Sequence, residues 1–291
     1  MAKLAIIGPG AIGGTVAAWL AQRSDHDVSL CVRTAFDRLE VETPQGLLSV
    51  QPRLITAPAQ AQPVDWVLIA TKAYDVSGTA AWLKGLVGPA TSVAILQNGV
   101  EHIERFAPFV PVERLLPVVV DCPAERASPG KIVQRRDAWM KVPDSALGQS
   151  FRELFVGTRI EVSPTSDFLT AAWMKLCLNC AGAVSAVTLK PNGIVHLPEI
   201  AELMQGLVRE CAAVGRAMGA NLPLNIAETV VDACRGAPRD SVNSLLADRL
   251  AGRPMEIDAR NGVIVRLGAE KNIPTPLNQA IVALLTAEVA G

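Results

Sequence analysis

The stretch Lys3–Gly14, KLAIIGPGAIGG, runs an apolar segment into a glycine turn, after which apolar residues recur at 12, 16, 19 and 20 with helical spacing. The order is strand, glycine turn, helix. That is the context a G-x-G-x-x-G turn requires. Gly8 makes the tight turn, Gly10 lets a pyrophosphate approach the backbone, and Gly13 lets the helix lie against the strand, with the helix N-terminus facing the phosphates. Pro9, Ala11 and Ile12 complete the segment, so Gly8 to Gly13 is the expected dinucleotide-binding loop.

Working outward, Asp27–Val32 (DVSLCV) predicts the next strand, which should end beside the adenosine ribose. An NAD binder favours Asp or Glu there; this chain has Arg33, then Thr34. A cation suits a 2′-phosphate, which favours NADP(H) over an ordinary surface arginine. Leu39–Val50, turning at Pro44-Gln45-Gly46, predicts a hairpin inserted in the sheet. Trp66–Ala70 and Ser92–Leu96 read as buried strands, and Thr71-Lys72 and Gln97-Asn98-Gly99 follow at their carboxyl ends, the edge where doubly wound sheets bind ligands. Lys72 meets cofactor phosphate there or stays a solvated loop residue. Asn98 offers a donor and two acceptor lone pairs where nicotinamide and substrate would meet, or is a turn asparagine before glycine. Leu115–Val162 alternates short apolar runs with turns and reads as extra strands completing the sheet.

Ser163-Pro164-Thr165-Ser166-Asp167 reads as a domain boundary and a helix cap, dividing the chain into 1–166 and 167–291. In the stretch that follows, Phe168–Leu189 (FLTAAWMKLCLNCAGAVSAVTL), Lys175 is the one charged residue. A helix apolar on nearly every side is normally a core helix, where an unpaired ammonium is costly, so Lys175 must reach water, a partner or a ligand. Asn179 lies one turn later on the same face. The helix is either the floor of an active site or a core helix whose lysine snorkels outward. Helical patterns continue near 198–218, 223–235, 241–251, 257–270 and 277–289, so an α/β half precedes an all-α half. A cleft between two such domains is a usual place for a small-molecule site.

The 27 basic and 28 acidic residues nearly cancel and form no basic run, which argues against nucleic acid or an anionic membrane as partner. Cys177 and Cys180 spell C-x-x-C, but no second pair stands at zinc spacing and the motif lies inside a helical pattern, so the reading is core packing, with no metal. Phe168–Leu189 is long enough to span a bilayer, yet a central Lys175 and Asn179 would be expensive there. Gly8-Pro9-Gly10 breaks the N-terminal apolar run before it resembles a signal peptide. The expectation is a soluble, cytoplasmic protein.

Hydride delivery to a carbonyl leaves an oxyanion that needs stabilising and protonation. Of the three histidines, His26, His102 and His196, only His102 lies near the expected cleft. Lys175 is the better candidate, because an ammonium stabilises an oxyanion before transferring its proton. Ser241-Val242-Asn243-Ser244 opens a helix and so presents hydroxyls and backbone donors suited to a carboxylate. Glu256 starts the next helix beside Asp258 and is suited to anchor Lys175 or a substrate hydroxyl. Helix capping accounts equally well for either segment taken singly.

GPGAIGG, TKAYDV, LQNGV, WMKLCLNC and SLLADRLAGRPMEID followed by NG occur in this order across nearly the whole chain. Together they resemble the ketopantoate reductase (2-dehydropantoate 2-reductase) family. The resemblance implies a Rossmann-type domain followed by a helical domain, and NADPH-dependent reduction of a 2-keto acid, ketopantoate to pantoate on the route to coenzyme A. It implies cofactor contacts at Gly8, Gly10, Gly13, Arg33 and Lys72, with Asn98 touching cofactor and substrate. It further implies Lys175 as general acid, Asn179 and Ser244 as substrate contacts, Ser244 at the carboxylate, and Glu256 as the acidic partner. A homodimer is left open. One departure from the family pattern is Ala183, where a second asparagine would follow Lys175 and Asn179. Sites built on such hydrogen bonds discriminate strongly. The readings that remain are ketopantoate reductase, a relative acting on another 2-keto acid, and a noncatalytic NADPH-binding regulator.

Overall fold

A computed structural model describes residues 1–289, which cluster into two compact units. The first comprises Met1–Gln97 and Glu101–Phe168; the second comprises Asn98–Val100 and the chain from Leu169 onward.

The first unit is built on strands β1 (Ala2–Ile7), β2 (His26–Cys31), β3 (Leu39–Thr43), β4 (Gly46–Val50), β5 (Arg53–Ile55), β6 (Trp66–Ile69), β7 (Ser92–Ile95) and β8 (Leu115–Pro117). It continues with β9 (Val119–Asp121), β10 (Ala124–Ser128), β11 (Lys131–Gln134), β12 (Ala138–Pro143) and β13 (Ile160–Thr165). Its helices are α1 (Ala11–Ala21), α2 (Val76–Leu86), α3 (His102–Phe106) and α4 (Ala146–Glu153). The main sheet has the order β5-β2-β1-β6-β7-β8, and its strands pair in parallel. The apolar run of β1 is explained by this position: Leu4 and Ile6 enter the core on one face, Ala5 and Ile7 the core on the other. Strand order reverses between β1 and β6, so the Gly8 turn sits at the switch point, where such sheets bind ligands.

Two expectations need correcting. The hairpin β3–β4 is antiparallel as expected, but it lies outside the main sheet, in a four-stranded sheet ordered β10-β11-β3-β4. Only β8 of the later strands completes the main sheet; β9, β12 and β13 form a third, three-stranded sheet. The physical reason is legible in burial. Along β3 and β12 buried residues alternate with more exposed ones, whereas β6 is buried throughout. Alternation marks a sheet with one wet face and cannot say which sheet the strand joins.

The second unit contains α5 (Phe168–Ala181), α6 (Ala183–Thr188), α7 (Pro198–Ala217), α8 (Ile226–Gly236), α9 (Ser244–Leu250), α10 (Val263–Glu270) and α11 (Pro276–Val289). A π-helical turn at Asp258–Gly262 leads into α10. The single helix expected over Phe168–Leu189 is interrupted at Gly182, whose carbonyl accepts a hydrogen bond from Asn243 Nδ2 (2.8 Å). Trp173, Leu176, Cys177, Cys180 and Ala183 all enter this unit's apolar core, so the long apolar stretch is core helix.

Candidate active site

In the first unit the chain turns out of β1 at Gly8, which takes φ +83°, a conformation costly for any residue with a Cβ. A Cβ there would stand 2.8 Å from the Thr71 amide nitrogen, and one at Gly13 would strike the Gly8 carbonyl oxygen and lie 2.8 Å from Ala70 Cβ. At Gly10 the situation reverses: a Cβ would meet nothing within 4 Å. No side chain caps the N-terminus of α1. Open space in front of a helix start with uncapped N–H groups fits a dinucleotide pyrophosphate.

Arg33 follows β2 with its side chain 85% exposed and donates from Nη2 to Asp75 Oδ2 (2.8 Å), in the segment after β6. That segment is tied down by Thr71 Oγ1, which pairs with Thr79 Oγ1 (2.8 Å), and by Gln97 Nε2, which donates to Thr71 Oγ1 (3.0 Å) and the Lys72 carbonyl (3.3 Å). Gln97 is buried and joins the loops after β6 and β7, a role its sequence position did not reveal.

His102 is buried, with Nε2 donating to the Gln97 carbonyl (2.9 Å) and its ring edge-on to Phe168 at 6.4 Å. Burial pushes its pKa down to about 4, helped by the nearby Arg105 cation. A neutral imidazole already committed to a carbonyl is no proton donor near pH 7.

The second unit gathers Asn98, Asn179, Glu256 and Ser244. Asn98 Nδ2 donates to Glu256 Oε2 (3.0 Å), and Asn98 Oδ1 accepts from Asn179 Nδ2 (3.3 Å). A flipped Asn98 amide would set carbonyl against carboxylate and NH₂ against NH₂, so the series has one workable orientation. Glu256 and Asn179 are 5% and 9% exposed, which makes that orientation expensive to lose. Lys175 stands half-buried on α5, one turn before Asn179.

Asn243 caps α9, its Oδ1 accepting from the Leu245 (3.0 Å) and Leu246 (3.1 Å) amides. Ser241 Oγ donates to the Pro238 carbonyl (2.7 Å). The groups this helix start can offer a carboxylate are therefore narrowed: Asn243 takes the Leu245 and Leu246 amides and Ser241 is turned to Pro238, leaving the hydroxyl and amide of Ser244 as the groups of interest. That hydroxyl oxygen accepts from Arg260 Nη1 (3.5 Å). Arg260 was not anticipated; the available signal was a lone basic residue four positions after Glu256, between buried Ala259 and Asn261. Among the described residues no cluster of His, Cys, Asp or Glu is arranged to bind a metal. Cys177 and Cys211 instead meet in the core, sulfurs 3.6 Å apart.

The family described as ketopantoate reductase PanE/ApbA matches residues 4–146, and its C-terminal domain family matches residues 167–289. The chain is 56% identical over 287 residues to a 2-dehydropantoate 2-reductase of Caulobacter vibrioides, covering 99% of both. Among solved structures it is similar to a PanE/ApbA family ketopantoate reductase of Ralstonia eutropha, at TM-score 0.89 and 31% identity over 99% of this chain and 98% of that one. It is also similar to a dimeric ketopantoate reductase of Staphylococcus aureus, at TM-score 0.88 and 26% identity over 99% of both chains.

Proposed function

The chain belongs to the ketopantoate reductase family, and from that premise we propose that it reduces 2-dehydropantoate (ketopantoate) to pantoate with NADPH, as a cytoplasmic enzyme serving pantothenate and coenzyme A synthesis. The observation that carries this reading is the hydrogen-bonded series Asn179–Asn98–Glu256, which brings together residues separated by up to 158 positions, with Asn179 one helical turn after Lys175 on α5.

NADPH supplies the hydride to the keto carbon. The chain's own residues do the rest. Gly8 to Gly13 receive the pyrophosphate, Arg33 exchanges Asp75 for the 2′-phosphate, and Lys72 adds positive charge beside them. Ser244 donates its hydroxyl proton to the substrate carboxylate, while Asn98 and Asn179 orient the substrate. Lys175 faces the carbonyl oxygen, stabilises the alkoxide that forms as hydride arrives, and gives it a proton to complete the 2-hydroxy acid. Glu256 balances the lysine charge and fixes Asn98.

A second reading keeps the chemistry and changes the substrate to another 2-keto acid. It is favoured by Ala183, a fully buried apolar residue with no amide to offer. NADPH oxidation by the purified protein across a panel of 2-keto acids decides between them. Ketopantoate is expected to give the highest kcat/KM. A different acid preferred by tenfold or more establishes the second reading, and no turnover with any acid leaves a noncatalytic NADPH binder.

A further inference from the structure

Arg260 lies on the π-helical turn and is 3% exposed, so its guanidinium is almost wholly withdrawn from water. Its hydrogen-bond partners among the described residues are two uncharged oxygens, the Asn179 carbonyl (Nη2, 3.0 Å) and the Ser244 hydroxyl (Nη1, 3.5 Å). Its Nε has no partner among the described residues. The carboxylates nearest in charge, Glu256 and Asp248, have their own bonds: Glu256 accepts from Asn98 (3.0 Å) and Asp248 from Arg253 (3.0 Å). A buried cation with an unsatisfied donor is costly, and such a cost persists where an incoming anion relieves it.

We propose that Arg260 is a specificity-determining residue of this site, its guanidinium forming the countercharge to the carboxylate of the 2-keto acid beside Ser244. The inference rests on the keto-acid reading above. The geometry divides the labour: Ser244 Oγ accepts from Arg260 and keeps its proton for the carboxylate, while the guanidinium adds charge and a planar fork. Arg260 also bonds the carbonyl of Asn179, a carbonyl that an uninterrupted helix commits to the amide of residue 183. The same side chain thus connects the carboxylate position to the segment that presents Asn179. Where Ala183 withholds a neutral amide, Arg260 brings a full charge, and it selects for acids over uncharged keto compounds.

A structural clasp on Asn179 makes a different prediction, so the test compares each 2-keto acid with its neutral 2-keto amide. The full-length protein, Arg260→Met and Arg260→Lys are assayed for turnover with NADPH. Binding of the 2-hydroxy acid and its amide in the presence of NADP⁺ is measured by calorimetry alongside. The wild type should prefer the acid by about a hundredfold, Arg260→Met should lose at least thirtyfold of that preference through KM, and Arg260→Lys should lose about five- to tenfold of it. NADPH affinity should be unchanged in both. An acid-to-amide ratio within threefold of wild type in Arg260→Met, whatever the loss of overall rate, overturns the proposal. If the Met variant fails to fold, Arg260→Lys decides. Charge without the fork should lower the ratio five- to tenfold, and an unchanged ratio overturns the proposal. Wild-type turnover with an unaltered variant ratio defeats the inference and leaves the reductase reading intact. Arg260-dependent acid binding without turnover defeats the reductase reading and supports the inference.

Discussion

Around Gly10 no atom beyond its adjoining residues lies within 4 Å of where a Cβ would stand, whereas Asn98 commits both ends of its amide to neighbouring side chains. The glycine turn of the first unit leaves side chains out: it offers backbone donors and open space, and its failures are expected to be steric. The Asn179–Asn98–Glu256 series of the second unit works by side chains that saturate one another, and its failures are electrostatic. Substitutions should therefore separate folding from binding in the first region and separate binding from chemistry in the second.

The largest effect should fall on the second region. Lys175→Ala is expected to lower kcat by roughly a thousandfold or more while leaving NADPH affinity within about twofold, because the proposed proton donor is removed and the glycine turn is untouched. Stopped-flow turnover and fluorescence titration read the two quantities; unchanged turnover would remove Lys175 from the chemistry.

The glycine turn yields a paired prediction. Gly13→Val drives a Cβ into the Gly8 carbonyl and should destabilise the protein by about 3 kcal/mol in denaturant unfolding. Gly10→Val enters open space, so its unfolding midpoint should match wild type while NADPH affinity falls at least tenfold. Equal destabilisation by the two would break the distinction between packing glycine and ligand glycine.

His102 sharpens the comparison from the edge of the first unit. Its folded pKa of about 4 lies below the ordinary 6.5, so the unfolded chain binds the extra proton between those values and stability rises with pH there. The contribution is complete above about pH 6.5 and is lost as pH falls toward 4, on the order of 2 kcal/mol by pH 5. In His102→Gln the unfolding free energy should lose that part of its slope. An identical pH profile would show that His102 does not carry it.

Arg33 should give the smallest effect. Its side chain is exposed and its pair with Asp75 is solvent-screened, so Arg33→Ala should leave stability nearly unchanged. NADPH affinity should fall about tenfold with NADH affinity unaltered. Equal loss for both cofactors would place Arg33 on something other than the 2′-phosphate.

Much of this was legible in residue order. Lys3–Gly14 announced strand, turn and helix because each part is a local event, and the lone charge of Phe168–Leu189 marked Lys175 because burial makes a single cation conspicuous. The destination of β3 and β4 was not legible, since alternation reports one buried face and carries no address. Neither was the break at Gly182, where Asn243 from 61 residues away donates to the carbonyl. Gln97 and Arg260 escaped notice for the same reason: their meaning lies in partners that sequence spacing does not approach.

By itself, then, the sequence determined the parallel Rossmann-type sheet, the helical second half and the residue types proposed to handle phosphate and keto acid. These follow from short-range periodicity, backbone sterics and the cost of burying charge. Tertiary structure alone decided which way the Asn98 amide points, that Asn243 takes two of the donors at the start of α9, and that a buried arginine stands beside Ser244. Each of those depends on hydrogen-bond partners brought within about 3 Å by packing, a distance over which sequence separation has no bearing.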